Sequence, residues 1–433
     1  MDATGLTRLV IVGNGMAPGR ALDHLLALAP GRHAITIFNA EPRVNYDRIQ
    51  LSPLLAGEKR FADIVIHDED WYARHAITLH RGERVVAIDR AARTVTGANG
   101  TVAPYDTLIL ATGSSPVIIP VPGHALPGVL TYRDLDDVEA MLAAARPGAR
   151  AVVIGGGLLG LEAAAGLAAR GMAVTVLHLM PHLMERQLDP AAGALLKAAV
   201  EARGIQVRCG ADTAAITGVA RVTGVRLSDG SQYPADIVVM AAGIRPNVAL
   251  ARAAGLVVNR GIVAGPDLRT SDPDICALGE CAECAGQIFG LVAPLYDMAQ
   301  VLARRLAGDA RAVFSPTATA TRLKVSGVDL YSAGDFAEGD DRQEIVLHDR
   351  ARSVYKRLVL KGDRLIGAVL FGDTADGPWF FDRIRSGAAI ADGRDTLIFG
   401  RDFAPSPAGP ELDLPAPGLL PALTGFPSTR ALP

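Results

Sequence analysis

A pattern of apolar strand, glycine turn, helix and second apolar strand constrains the fold more than any other feature of the chain. In its first copy, the apolar run at residues 8–12 is typical of a buried parallel strand. Gly13 and Gly15 follow that run directly, a helical pattern of leucines comes next, and residues 34–38 form the second apolar run. The order predicts two parallel strands connected by a glycine turn and a helix.

The same order begins again 142 residues later, with Gly155, Gly157 and Gly160 in the full G-x-G-x-x-G spacing after an apolar run at residues 151–154. The first glycine permits a sharp bend, the second lets the backbone approach a pyrophosphate, and the third lets helix and strand pack closely. The helix N-terminus then offers free N–H groups to the phosphates. Two such copies predict an α/β fold with two Rossmann-like dinucleotide-binding domains. The alternative is that these glycines only shape turns.

The first copy departs from the pattern at its third position. Pro18 stands where the third glycine belongs, and Gly19 follows it. Proline is tolerated in the first turn of a helix because the N–H that it lacks has no partner within the helix there. We therefore expect the phosphate site to be retained and the packing of helix on strand to differ between the copies.

The composition excludes several classes of protein. The length of 433 residues corresponds to about three domains. The net charge of −3 leaves no basic surplus for binding nucleic acid. We find no secretory signal, and the most apolar run, residues 152–169, contains Glu162 and five glycines, which argues against a membrane span. Four cysteines in so long a chain do not make a disulfide scaffold, so we expect a cytoplasmic protein.

Several further stretches resemble flavoprotein reductases with two dinucleotide-binding domains. Residues 108–113 (LILATG) are similar to the strand and A-T-G turn beside the flavin in that family. Residues 270–280 (TSDPDICALGE) are similar to its second FAD motif, with glutamate where aspartate is commoner. A narrower resemblance, to the flavoprotein portion of the large subunit of assimilatory NAD(P)H-nitrite reductase, is carried by residues 13–16, 46–48, 155–164, 290–296, 323–335 and 367–379.

The resemblance implies that the first fold binds FAD and the second binds NAD(P)H. The residues that it implies for FAD are Gly13, Gly15, Met16, Glu41, Arg48, Thr112, Gly113, Gly279 and Glu280. Those that it implies for NAD(P)H are Gly155, Gly157, Gly160, His178 and Gly243. Asn39 is the alternative to Glu41 as the ribose ligand, and a solvated surface position is the alternative for Arg48.

The choice between NADH and NADPH depends on His178, which stands at the strand end where an acid usually binds the NAD ribose hydroxyls. A neutral histidine can bond a ribose hydroxyl, and a charged one can bond a 2′-phosphate. We expect a modest preference for NADH, with NADPH accepted. A neutral surface histidine without a role in binding is the alternative.

Glu162 is the catalytic candidate, because the resemblance suggests a position near the nicotinamide. Pro53 replaces the lysine that related ferredoxin reductases often carry directly after the serine that corresponds to Ser52. A buried carboxylate without a partner is costly. We therefore expect Glu162 to be partly solvated, protonated or paired elsewhere, with an ordinary exposed glutamate as the alternative.

The cysteines argue against two kinds of chemistry. Disulfide reductases carry a redox cysteine just after the first fold, and residues 43–55 contain none, so disulfide reduction is not expected. Cys276, Cys281 and Cys284 have a ferredoxin-like C-x4-C-x2-C spacing, but a fourth ligand is missing nearby. We therefore expect no metal site, with a redox or metal role for Cys281 and Cys284 as the alternative.

These inferences predict four segments: an FAD-binding domain (residues 1–118 and 244–314), an NAD(P)H-binding domain (119–243), a smaller α/β domain of the interface type (315–400) and a tail (401–433). Residues 402–433 contain eight prolines interspersed with large apolar side chains. We expect this segment to dock onto a partner protein, with packing on its own domains or no role at all as the alternative.

The predicted function is that of an NAD(P)H-oxidising FAD subunit in assimilatory nitrite or nitrate reduction. Its electron acceptor would be an iron–sulfur, molybdenum-bearing or sirohaem-bearing reductase subunit, or a small redox protein. One alternative is an NADH-dependent rubredoxin or ferredoxin reductase of another pathway. Another is a flavoprotein that senses NADH as a binding module and turns over slowly.

Overall fold

The computed structural model of the chain describes residues 5–316, 320–325, 328–390 and 393–403. The segment 404–433, which holds most of the predicted docking tail, lies outside the described residues. Within the described part of the chain, no helix has both the length and the apolar character needed to cross a lipid bilayer.

The first part of the chain, up to residue 116, alternates strands and helices and then forms a run of short strands. Its elements are β1 (Thr7–Val12), α1 (Met16–Leu28), β2 (His33–Asn39), β3 (Asn45–Tyr46), α2 (Leu51–Ala56), β4 (Val65–His67), α3 (Glu69–Arg74), β5 (Thr78–Arg81), β6 (Val85–Asp89), β7 (Thr94–Gly97), β8 (Val102–Pro104), β9 (Thr107–Leu110) and β10 (Ser114–Pro116).

The middle part of the chain repeats this alternation. Its elements are β11 (Val129–Thr131), α4 (Leu135–Ala144), β12 (Arg150–Ile154), α5 (Leu158–Ala169), β13 (Ala173–His178), α6 (Pro190–Glu201), β14 (Gln206–Cys209), β15 (Thr213–Gly218), β16 (Val222–Leu227), β17 (Gln232–Pro234) and β18 (Ile237–Met240).

The last part contains short strands, a long helix and a meander of longer strands. Its elements are β19 (Ile244–Pro246), α7 (Ala249–Ala253), β20 (Ile262–Ala264), β21 (Ile275–Ala277), β22 (Ala282–Cys284), β23 (Gln287–Ile288), α8 (Val292–Leu306), β24 (Ala320–Val325), β25 (Val328–Gly334), β26 (Gln343–Asp349), β27 (Val354–Lys361), β28 (Arg364–Phe371) and α9 (Gly377–Ser386).

The first parallel sheet has the strand order β21-β9-β1-β2-β5. Val12, at the end of β1, lies opposite Phe38 of β2 and Leu110 of β9. β21 comes from a much later part of the chain and pairs in parallel with β9. Helices α1 and α8 pack against each other and bury Leu25 and Leu302 in the core of this unit.

The second parallel sheet has the strand order β11-β18-β12-β13-β14. Ile154, at the end of β12, lies opposite Leu177 of β13 and Met240 of β18. In both sheets, therefore, the strand before the glycine turn is flanked by the strand after the helix and by a strand from later in the chain. The two sheets are two copies of one dinucleotide-binding topology.

The third large sheet is antiparallel, with the order β24-β25-β28-β27-β26, and α9 packs on it. Phe380 of α9 is buried with Leu358 and Leu370 in a separate core. The Tyr355 hydroxyl of β27 donates a hydrogen bond to Asp189, which caps the N-terminus of α6, so this unit is fastened to the second parallel sheet. The architecture confirms the expected α/β fold with two Rossmann-like units and a smaller α/β unit.

Candidate functional site

One continuous cleft of about 1750 Å³ runs past both glycine turns, at the carboxyl ends of the two parallel sheets. Ligands of open parallel sheets bind at this edge. The predicted site residues that line the cleft are Gly13, Gly15, Met16, Glu41, Arg48, Thr112, Gly113, Gly155, Gly157, Glu162, His178, Gly243, Gly279 and Glu280. Asn39 also lines it, whereas Gly160 does not.

The first position of each turn requires glycine for the same steric reason. Gly13 has a φ of 111°, and a Cβ atom there would lie 2.1 Å from the Ala111 carbonyl oxygen. Gly155 has a φ of 125°, and its Cβ would lie 2.2 Å from the Ala241 carbonyl oxygen. A side chain is excluded at both positions, because the residue that follows β9 in the first unit, or β18 in the second, lies so close to the turn.

The second glycine of each turn leaves an open cradle. Gly15 and Gly157 are the N-cap residues of α1 and α5, and no side chain caps either helix. A Cβ atom at either position would meet nothing within 4 Å. The first-turn N–H groups of both helices therefore face the cleft, and the space beside them fits a pyrophosphate at each end.

The third position differs between the two copies. A Cβ atom on Gly160 would lie 2.0 Å from the Gly155 carbonyl oxygen, so this glycine serves the packing of α5 on its own turn. In the first copy Pro18 is buried within α1, and Gly19 lies against the side chain of Asn45. The Asn45 amide in turn donates to the Gly15 carbonyl at 2.8 Å. In the first turn, therefore, the Asn45 side chain packs between the helix and the loop. In the second turn, the backbone of the helix contacts the backbone of the turn directly.

The predicted ribose ligand Glu41 belongs to a cluster with Tyr46 and Arg48. Its carboxylate forms an ion pair with Arg48 and accepts a hydrogen bond from the Tyr46 hydroxyl at 2.7 Å. Burial raises the pKa of Tyr46, so the phenol keeps its proton and acts as a donor. Arg48 also donates to the Arg133 carbonyl oxygen at 3.1 Å and is not a solvated surface residue. The Asn39 amide donates to the Arg43 carbonyl at 2.8 Å, within its own loop.

Glu280 is held by residues from distant parts of the chain. It forms an ion pair with Arg133 and accepts a hydrogen bond from the Ser114 hydroxyl at 2.7 Å. The neighbouring Thr112 is fixed as well, because its hydroxyl donates to the Asn247 carbonyl at 2.7 Å. The two motifs of the first fold therefore meet in a polar network whose charges are compensated.

Glu162 lies on α5 and faces the same cleft. The Ser52 hydroxyl donates to its Oε2 atom at 2.7 Å, and the Tyr132 hydroxyl lies 2.8 Å from Ser52 Oγ. Burial raises the pKa of Glu162 to about 7, although the bond from Ser52 acts in the opposite direction. No lysine or arginine in the described part of the chain forms an ion pair with Glu162. A half-buried carboxyl that titrates near neutrality is a candidate for proton transfer.

His178 lines the cleft, yet both of its ring nitrogens have protein partners. Its Nδ1 atom accepts the backbone N–H of Gly156 at 3.0 Å, and its Nε2 atom lies 3.1 Å from Glu185 Oε2. Glu185 lines the cleft beside it. Direct binding of a ribose by the imidazole would require one of these bonds to break.

The three cysteines with ferredoxin-like spacing are buried core residues. The Cys281 thiol donates to the Leu110 carbonyl oxygen at 3.3 Å, inside the first unit. Burial raises the pKa of Cys276 to about 12 and that of Cys284 to about 11. Thiols of this kind are poor nucleophiles and poor metal ligands. Within the ranges that the structure describes, no cluster of His, Cys, Asp and Glu is suited to hold a metal ion.

Three side chains of the cleft, those of Arg133, Tyr132 and Glu185, were not predicted from the sequence. Arg133 and Tyr132 lie in a segment without any motif, and only their contacts with Glu280 and Ser52 reveal their role. Glu185 had a visible signal, since it is an acid that follows the expected strand end after seven residues. Its position against His178 depends on the course of the loop between them.

Comparison with known proteins agrees with this geometry. The sequence model of the pyridine nucleotide-disulphide oxidoreductase family matches residues 7–301. That of the rubredoxin NAD+ reductase C-terminal domain matches residues 320–388. The crystal structure of the ferredoxin reductase for the CYP199A2 system from Rhodopseudomonas palustris is 32% identical, with a TM-score of 0.79, and the match covers 86% of this chain and 92% of that one.

Two curated relatives come from Bacillus subtilis (strain 168). Nitrite reductase [NAD(P)H] is 47% identical over 388 residues, which are 90% of this chain and 48% of that protein. The assimilatory nitrate reductase electron transfer subunit is 41% identical over 391 residues, which are 90% of this chain and 51% of that protein. The chain thus spans about half the length of these two relatives. With two glycine turns on one cleft and a family match over most of its length, the chain belongs to the pyridine nucleotide-disulphide oxidoreductase family, whose members bind FAD and NAD(P)H.

Proposed function

We propose that this chain oxidises NAD(P)H through FAD and passes the electrons to a partner redox protein in assimilatory nitrite or nitrate reduction, in the cytoplasm. The observation that carries the proposal is the single cleft joining two matched glycine turns, each with an open helix N-terminus. One turn suits FAD and the other NAD(P)H. FAD at the first turn would supply the redox chemistry, which is acceptance of a hydride from NAD(P)H at the second turn and transfer of single electrons to the acceptor.

The FAD domain in this proposal comprises residues 1–118 and 244–314. Gly13, Gly15 and Met16 would receive the pyrophosphate at the start of α1, and Glu41 would accept the ribose hydroxyls. Arg48 holds Glu41 in place through their ion pair. Further along the cleft, Thr112, Gly113, Gly279 and Glu280 would contact the ribityl chain and the ring. Arg133 compensates the charge of Glu280 there.

The NAD(P)H domain comprises residues 119–243. Gly155 and Gly157 would receive the second pyrophosphate, and Gly243 would lie beside the nicotinamide end. Gly160 supports this turn through packing, and His178 does so through its bond to Gly156. We propose a modest preference for NADH, with NADPH accepted. Residues 315–400 would form an interface-type domain, and residues 401–433 a tail that docks onto the partner.

Glu162 has the position of a proton-transfer group. It lines the cleft, and Ser52 and Tyr132 connect to it through hydroxyl hydrogen bonds. A carboxyl that is about half protonated near pH 7 can give or take a proton when the charge at the flavin changes. Ser52 orients the Glu162 carboxyl by donating a hydrogen bond to it.

The electron acceptor is proposed to be an iron–sulfur, molybdenum-bearing or sirohaem-bearing reductase subunit, or a small redox protein. The names of the two Bacillus relatives support the nitrite and nitrate context. The matched C-terminal domain and the likeness to a ferredoxin reductase favour a second candidate, an NADH-dependent rubredoxin or ferredoxin reductase. Both candidates make the same use of the cleft and differ only in the acceptor.

The test begins with the purified full chain. We expect a yellow protein with one FAD per chain that reduces ferricyanide with NADH and reduces neither nitrite nor disulfides. A folded but colourless preparation that cannot be reconstituted with FAD would refute the proposal. Adding the native reductase partner, a rubredoxin or a ferredoxin in turn then identifies the acceptor. NADH binding without appreciable turnover towards any of them would favour a sensing module instead.

A further inference from the structure

The glycine turn of the second fold is tied to the loop after β13 by two hydrogen bonds. The Gly156 N–H donates to His178 Nδ1 at 3.0 Å, and the Gly156 carbonyl accepts the Met184 N–H at 3.1 Å. A Cβ atom on Gly156 would lie 2.7 Å from the imidazole and 2.5 Å from Leu183. The turn and the loop are therefore held together. Glu185, the residue after Met184, has a fixed place beside the turn.

The hydrogen bonds of His178 decide where its proton lies. A backbone N–H can only donate, so Nδ1 must act as the acceptor and carries no hydrogen. Nε2 therefore holds the proton and donates it to Glu185 Oε2 at 3.1 Å. In this arrangement the imidazole is neutral and cannot act as a cation for a 2′-phosphate.

Glu185 brings a carboxylate to the strand end where the sequence has histidine. Its side chain is 25% exposed, it lines the cleft, and His178 engages only one of its two oxygens. The other oxygen lies 3.9 Å from the Arg186 guanidinium, whose side chain is 87% exposed. One oxygen of a positioned carboxylate thus remains open to a ligand in the cleft.

We propose that Glu185 is the residue that selects NADH over NADPH, with His178 as its positioning residue. This inference rests on the proposed function, because it assigns a specificity to the same nucleotide site. An acid accepts hydrogen bonds from the ribose hydroxyls of NADH. The same charge repels a 2′-phosphate, because two negative charges in close contact are unfavourable.

The test compares Glu185→Gln with the wild-type holoprotein. Glutamine can still accept the His178 hydrogen bond, so the variant removes the charge and keeps the loop. Dissociation constants for NAD+ and NADP+, and kcat/KM for NADH and NADPH with ferricyanide, are measured together. We expect the NADH-to-NADPH ratio of kcat/KM to fall about tenfold or more, mainly through a lower KM for NADPH. Glu185→Arg should go further and reverse the preference.

The matched control is Glu201→Gln on α6, which removes an exposed carboxylate paired with Lys197 at 2.6 Å. This variant should leave the selectivity unchanged. An unchanged ratio in Glu185→Gln would overturn the inference and leave the proposed function intact. A wild-type preference for NADPH would overturn the inference and the proposed preference for NADH, while the proposed oxidation of NAD(P)H through FAD would stand. Selective NAD+ binding that Glu185→Gln relaxes, in a protein that transfers no electrons, would support the inference and refute the proposed function. Absence of any nucleotide binding would refute both.

Discussion

The Ser52 hydroxyl donates a hydrogen bond to Glu162 Oε2 at 2.7 Å and so joins helix α2 to helix α5 inside the cleft. Because Pro53 occupies the position of a lysine, Glu162 was expected to be partly solvated, protonated or paired elsewhere. The structure combines two of these possibilities. A serine is the partner, and burial raises the pKa of the carboxyl to about 7, so that it is partly protonated at neutrality.

The first prediction concerns stability and pH in Glu162→Gln. The pKa of Glu162 is about 7 in the folded chain against an ordinary value of 4.5, so the folded state binds more protons between these two pH values. The free energy of unfolding therefore falls as pH rises through this window. The glutamine variant lacks this loss and should be more stable than wild type at pH 8 by ~1–3 kcal/mol, with little difference at pH 4.5.

Urea unfolding of the two proteins from pH 4.5 to 8 measures this difference. Glu58→Gln is the control, because it removes a carboxylate from an exposed position outside the cleft. Parallel stability curves for wild type and Glu162→Gln would show that the Glu162 carboxyl titrates at its ordinary value.

The second prediction separates the two roles of glycine in the second turn. Gly157→Ala adds a methyl group to open space, so the fold should keep its stability while the KM for NADH rises at least about tenfold through loss of pyrophosphate contact. Gly160→Ala places a methyl group 2.0 Å from the Gly155 carbonyl oxygen and should lower the melting temperature strongly. Thermal unfolding and NADH kinetics are recorded for both. Equal loss of stability in the two variants would contradict the assignment of an open cradle.

The third prediction concerns the junction between the antiparallel sheet and α6. Asp189 caps α6 by accepting the Ala192 N–H at 2.9 Å, accepts the Tyr355 hydroxyl at 2.5 Å, and lies 3.6 Å from Arg357. Tyr355→Phe removes a buried hydrogen bond to a carboxylate and should cost about 1–2 kcal/mol of unfolding free energy.

A double-mutant cycle with Asp189→Ala isolates this bond, because the loss of the helix cap occurs with and without the Tyr355 hydroxyl and cancels in the cycle. The coupling between the two changes should be of the same size as the effect of Tyr355→Phe alone. Additive effects would mean that the hydroxyl contributes through packing and not through Asp189.

The α/β fold and the family could be predicted from the sequence, because both depend on short local signals. Apolar runs followed by glycines specify strand, turn and helix within about 30 residues. The structure supplies the physical reason for the first glycine of the turn, because a Cβ atom on Gly13 would lie 2.1 Å from the Ala111 carbonyl oxygen.

The polar partners of the cleft could not be predicted in the same way. Arg133 and Glu280 are 147 positions apart, and Ser52 and Glu162 are 110 positions apart. Their pairing follows from how the units pack together and leaves no periodic or local trace in the sequence. The sequence identifies Glu280 and Glu162 as candidate site residues, but it does not identify the side chains that contact them.

The last prediction concerns the thiols. Cys276, Cys281 and Cys284 are buried, with exposures of 5%, 0% and 2%, and burial raises the pKa of each above the ordinary thiol value. The thiolate is the reactive form, so these three should resist alkylation while the fold is intact. Titration of the native protein with a disulfide reagent at pH 8 should find at most one reactive thiol, that of the half-buried Cys209. Denaturant should expose all four thiols.

Cys284→Ala should leave NADH-dependent ferricyanide reduction within about twofold of wild type, because a small buried residue replaces another. Rapid native labelling of Cys281 or Cys284, together with loss of electron transfer in Cys284→Ala, would instead assign these residues a redox role.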